Sequence, residues 1–94
     1  MILDDRSALI VEVALSGLAT ARERKTAAYA RARLADYWIV NLVDRVLEVL
    51  REPARPGPAL RHWRYAAVDT VGAAATVAAL AAPSAQIRVA DLLP

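Results

Sequence analysis

Apolar positions along the chain fall into short runs separated by polar turns, and the runs differ in period. The first, Ala8 to Leu15, reads ALIVEVAL. Seven or eight residues rich in valine, isoleucine and leucine favour a strand over a helix, buried on at least one face. Strand alternation puts Ala8, Ile10, Glu12 and Ala14 on one side and Leu9, Val11, Val13 and Leu15 on the other. Glu12 is thus a carboxylate among apolar neighbours. Burying such a group without a partner is costly, so Glu12 either faces water or has a counterpart.

Ser16 and Gly17 mark a turn, and Thr20-Ala21-Arg22-Glu23 fits the Thr-x-x-Glu box that caps a helix N-terminus. The pattern predicts a helix from about Ala21 to Leu34. On it, Ala21, Ala28, Ala32 and Ala35 form a stripe of small residues suited to close packing. Lys25 and Tyr29 stand four apart and project together, with Arg22 and Arg33 flanking them to make a basic face. Solvated helix faces commonly carry such charge, so charge alone does not make this a site.

Asp36-Tyr37-Trp38-Ile39-Val40 predicts a second strand, aromatic and β-branched. Beyond it two periods compete. Ile39, Leu42, Val43, Val46, Leu47 and Leu50 match the amphipathic-helix template, whereas Val46 to Leu50, alternating about Glu48, would make a hairpin with a turn at Leu42 to Arg45. Periodicity leans to the helix. Pro53, Pro56 and Pro58 predict a loop over Glu52 to Pro58, since proline removes ladder and helix donors. Arg61 to Tyr65 reads as a strand, Val71 to Ala82 as a helix on alanine's propensity, Gln86 to Val89 as a short strand and Asp91 to Leu93 as a final turn.

Composition narrows the chemistry. The 94 residues make one domain over 1–94, with a modest core of small side chains and no phenylalanine. The absence of cysteine excludes disulfides, thiolate zinc sites and cysteine nucleophiles. The longest apolar stretch, Val71 to Ala82, is 12 residues, short of the roughly 18 to 20 that span a bilayer. The acidic start MILDDRS is unlike a signal peptide, so no membrane association and a cytoplasmic location are expected. Net charge is +2, too small to imply nucleic acid by itself. His62 has no second histidine for a metal pair, Gly17, Gly57 and Gly72 are too scattered for a phosphate loop, and no serine stands in a nucleophile elbow. What remains is Glu12 on a buried strand, followed by Lys25 on the next helix.

The stretch ALIVEVALSGLATARERKTAAYARARLADYWIVNLVDRVLEVLREP, with the closing IRVADLLP, resembles the second half of the Uma family of restriction-endonuclease-like proteins, within the PD-(D/E)xK nuclease superfamily. The features that carry the resemblance are the glutamate strand, the lysine and tyrosine four apart, and the aspartate-tyrosine-tryptophan strand. It implies an α/β fold, a mixed curved sheet flanked by helices, and it implies that Ile39 to Leu50 is a hairpin. It further implies a Mg²⁺- or Mn²⁺-dependent DNA phosphodiesterase, with Glu12 as metal-binding and catalytic carboxylate, Lys25 as catalytic lysine and Tyr29 in support. Hard oxygen ligands and a divalent cation suit hydrolysis of an anionic ester. Arg22 and Arg24 are the DNA-contacting candidates.

The chain departs from the family in respects that matter for activity: Leu15 and Ala21 stand where relatives often carry acidic residues, and a metal-binding aspartate is missing. The aspartate that should share the metal belongs on a strand upstream of Glu12, and only eleven residues precede it; Asp4 and Asp5 lie too close and lack the preceding proline. The expectation is a domain incomplete at its N-terminus, associating with a missing N-terminal half or a second copy. A nuclease-fold remnant that grips DNA or a protein through Arg22, Arg24, Arg31 and Arg33 without cutting is the alternative, and a truncated reading frame without an independent role is the third.

Overall fold

The computed structural model describes residues 9–15, 19–58 and 61–94, with the backbone alone at 19–21. Strand β1 (Leu9–Ala14) leads through helix α1 (Ala19–Arg31) to β2 (Asp36–Asn41). A hairpin then joins β2 to β3 (Val46–Ala54), and β4 (Arg64–Val71) returns along β3. The sheet order is β1-β2-β3-β4. β1 runs parallel to β2, and the other two pairings are antiparallel. A parallel neighbour requires a crossover, which α1 provides. The fold is therefore α/β with a mixed sheet, as expected.

Each face of the sheet has its own cover. Against one face, α1 contributes Ala30 and the following Leu34 to a core with Tyr37, Ile39, Leu50 and Tyr65. Against the other lies the C-terminal segment, where the short strands β5 (Thr76–Val77) and β6 (Ile87–Arg88) and the 3-10 turn η1 (Val89–Leu92) pack Val77 and Val89 on Trp38, Val40, Leu47 and Val49. With both faces covered, every residue of β2 is buried.

That double burial explains the misleading period. Where neither face of a strand meets water, alternation disappears from the sequence, and the apolar positions of Ile39 to Leu50 mimic a helix. The structure has a hairpin there. Its turn is held by Asn41, whose Oδ1 accepts the N–H groups of Val43 and Asp44 at 3.1 and 3.0 Å, while Arg45 takes a left-handed φ of 55°. The helix expected over Val71 to Ala82 is absent: β4 runs to Val71, turns follow, and β5 occupies Thr76–Val77. Gly72 and the β-branched Thr76 and Val77 outweigh alanine's propensity in a segment that packs flat on the sheet.

Two further boundaries shift. β3 continues through Pro53 to Ala54. Pairing with β2 ends at Arg51, so Pro53 sits on an overhang bonded only to β4 and needs no second ladder. Likewise β4 starts at Arg64 rather than Arg61.

Helix α1 starts at Ala19, which places Thr20 inside its first turn; the Thr20 side chain lies outside the described residues. Its C-terminus is a Schellman turn. The N–H of Leu34 bonds the carbonyl of Tyr29 at 3.0 Å and that of Arg33 bonds Ala30 at 2.9 Å, with Arg33 at φ 61°. The expected alanine stripe does not face the sheet, since Ala28 and Ala32 are exposed and Ala30 is the buried alanine. Arg33 lies beyond the helix and does not flank Lys25.

A buried ion pair fastens the C-terminal segment. Asp36, 1% exposed, accepts from Arg51 Nε at 3.0 Å, Trp38 Nε1 at 2.7 Å and the Leu80 N–H at 2.9 Å. Arg51 also donates to the Ala78 carbonyl at 2.6 Å. The Leu80 N–H and the Ala78 carbonyl thus tie the C-terminal segment to this pair.

Candidate active site

Glu12 stands on β1 with its side chain toward α1, the face on which Ile10 and Ala14 pack. Three donors converge on it. Tyr29 Oη donates to Oε1 at 2.7 Å, Lys25 Nζ donates to Oε2 at 3.1 Å, and Tyr37 Oη reaches Oε2 at 3.5 Å. The four-residue spacing of Lys25 and Tyr29 delivers both to the same carboxylate from one side of the helix. The structure therefore brings together all three residues singled out at this position by the sequence.

The electrostatics follow from these contacts. The Tyr29 hydrogen bond holds the Glu12 carboxyl below its usual range, against the opposing effect of burial, and Lys25 adds to the lowering through its hydrogen bond and its charge. The same bond raises Tyr29, because ionising its hydroxyl would put two anions in contact. Tyr37 is pushed up to about 12, first by burial and then by the Glu12 charge. Both phenols are thus neutral donors at physiological pH, and Glu12 is an anion. Tyr29 and Tyr37 meet edge to face with centroids 4.8 Å apart, which fixes the two hydroxyls relative to each other. Lys25 keeps 59% of its side chain exposed, so its ammonium remains open to a ligand.

A second carboxylate shares the row. Glu12 pairs with Ile39, and Ile39 with Glu48, so Glu12 and Glu48 point to the same face on strands two apart. Two strand spacings separate their backbones by about 10 Å. Glu48 is bound by Arg22 through both oxygens and by Asn41 Nδ2 at 3.1 Å. Sequence reasoning missed this pair, because the partners stand 26 residues apart and meet only once the hairpin pairing is known. Arg22, a DNA-contacting candidate, has its guanidinium committed to Glu48. Arg24, the other, is exposed.

A Mg²⁺ ion would need more oxygens than these residues bring together. Glu48, the other carboxylate of the row, has both oxygens taken by Arg22. Both oxygens of Glu12 already accept hydrogen bonds. Among the described residues no group of three or more histidine, cysteine, aspartate or glutamate side chains could hold a metal. Asp4 and Asp5 lie outside the described residues. The described set supplies one carboxylate ligand and a cation beside it, and it does not by itself form a metal site.

No helix of the described residues is long and apolar enough to cross a membrane. No curated protein and no solved structure matches the chain. One family model does, Uma2, whose description is "Putative restriction endonuclease", and the match covers residues 4–90. It takes in the strand of Glu12, the helix of Lys25 and Tyr29, the hairpin and almost all of the C-terminal segment. With nearly its whole length matched, the chain belongs to the Uma2 family of restriction-endonuclease-like proteins.

Proposed function

We propose that this chain works on DNA and that phosphodiester hydrolysis centres on Glu12 and Lys25. The observation that carries the reading is the convergence of Lys25, Tyr29 and Tyr37 on Glu12 at the margin of the sheet. A bare carboxylate would repel a phosphodiester. Lys25 offsets that charge, and its exposed ammonium counters the negative charge that develops on phosphate oxygens during attack. Tyr29 acts through Glu12, fixing its orientation and its ionised state. The Mg²⁺ or Mn²⁺ implied by the resemblance would find one described ligand, Glu12, with the others coming from outside the described residues.

The test is nicking of supercoiled plasmid by the purified protein, with Mg²⁺, with Mn²⁺ and with chelator. Glu12→Gln and Lys25→Ala should each abolish ion-dependent nicking. Cleavage that survives both substitutions would discard this site.

A second reading, DNA retention without cutting, draws on the lack, among the described residues, of a group of three or more metal-ligating side chains and on the exposed Arg24, Arg31 and Arg33. It expects no nicking in any ion but DNA binding that weakens steeply with salt, as counterions released by phosphate contacts require.

A further inference from the structure

A cleft of about 700 Å³ opens on the opposite flank of α1 from Lys25, between the helix and the beginning of β4. Its apolar wall is Ile39, Leu50 and Trp63, and its rim carries Arg24, His62 and Arg64. Trp63 is half-buried against the helix-side core, so its ring is held in place while one part meets the cleft. Arg64 is anchored by donating to the Arg55 carbonyl at 3.0 Å, and Arg24 is exposed. Glu48, in the same cleft, is neutralised by Arg22; the lining's other carboxylate, Glu23, is exposed to water, and Arg24 and Arg64 outnumber it.

We propose that this cleft holds an unpaired DNA nucleotide, its base stacked on Trp63 and its backbone phosphate on Arg24 and Arg64. An aromatic platform edged by guanidinium groups is what binding of single-stranded nucleic acid uses, because every base offers a π-face and every nucleotide a phosphate. The inference rests on the reading that the chain works on DNA, and it adds that an unpaired strand, not an intact duplex, is what the cleft accepts.

The experiment measures binding in chelator, where no cleavage occurs. Anisotropy of a labelled oligothymidylate gives affinity, and intrinsic tryptophan fluorescence reports location, since Trp38 is 1% exposed on the other face of the sheet and Trp63 is the tryptophan at the cleft. The expected results are fluorescence quenching on binding, and tighter binding of the oligothymidylate than of a blunt duplex of equal length. Trp63→Ala should weaken oligothymidylate binding by roughly five- to a hundredfold, and Trp63→Phe should restore most of it. Should Trp63→Ala fail to fold, Arg24→Ala serves instead, lowering the slope of log affinity against log salt by about 0.7. Equal affinity for duplex and single strand, or oligothymidylate affinity unmoved by Trp63→Ala or Arg24→Ala, overturns the proposal. Plasmid nicking separates the two readings: nicking without Trp63-dependent binding removes the cleft alone, and Trp63-dependent binding without nicking removes the catalytic reading alone.

Discussion

Tyr29 Oη lies 2.7 Å from Oε1 of Glu12, a bond that closes from the helix onto the strand 17 residues earlier. It is the largest influence lowering the Glu12 carboxyl. Tyr29→Phe should therefore raise the Glu12 titration midpoint toward the ordinary 4.5, read from the carboxyl carbon by NMR. The sign for stability follows. A carboxyl depressed on folding stabilises the protein above its unfolded value near 4.5, and that contribution is lost as pH falls through the folded value. The stability difference between wild type and Tyr29→Phe should thus be full at neutral pH and shrink in acid. An unmoved Glu12 midpoint in the variant would show that the bond does not form in solution.

Arg51→Ala should destabilise the fold by about 3 kcal/mol, read as a lower urea midpoint, because it leaves Asp36 charged and 1% exposed without its cation. Asp36→Asn should cost less, since it keeps an acceptor for Trp38 Nε1. In a domain this small either loss is a large share of total stability. A larger effect for Asp36→Asn than for Arg51→Ala would contradict this ranking.

Arg33 sits at φ 61° two residues after the end of α1, where a side chain is strained and glycine is not. Arg33→Gly should stabilise by roughly 0.5 to 1 kcal/mol, a rise of several degrees in Tm for a domain of this size. A fall in Tm would mean that the Arg33 side chain makes contacts that outweigh the strain.

Glu48 holds the Arg22 guanidinium away from any other anion. Glu48→Gln should release it, and DNA affinity measured across a salt series should gain a slope steeper by about 0.7 to 0.9, one extra phosphate contact. An unchanged slope would show that Arg22 makes no phosphate contact even when Glu48 no longer holds it.

The sequence made Glu12, Lys25 and Tyr29 legible because each rested on a local rule: a strand's alternation, a helix's four-residue spacing and a recognisable order of elements. Glu48, Asp36 and Arg51 were not legible as partners. Arg51 stands 15 residues from Asp36 and 27 from Ala78, and no spacing rule joins residues across an antiparallel pair whose turn is unknown. The hairpin escaped periodicity for a related reason, since burial of β2 on both faces erased the alternation that announces a strand. Val71 to Ala82 misled through composition, because alanine favours a helix in isolation and says little when a segment is pressed against a sheet.

The outward side of β1 is as apolar as the inward side: Val11, Val13 and Leu15 are 45%, 62% and 76% exposed, while Ile10 and Ala14 turn toward the helix. Hydrophobicity alone therefore does not decide which side of this strand turns in, and a one-residue slip along β2 would exchange them. Only Glu12 distinguishes the two sides, because only in the observed alignment does its carboxylate meet Lys25, Tyr29 and Tyr37. The charge in the middle of the apolar run is thus the mark by which the strand finds its place, and whatever chemistry Glu12 performs is built on a residue the fold already needs in order to align.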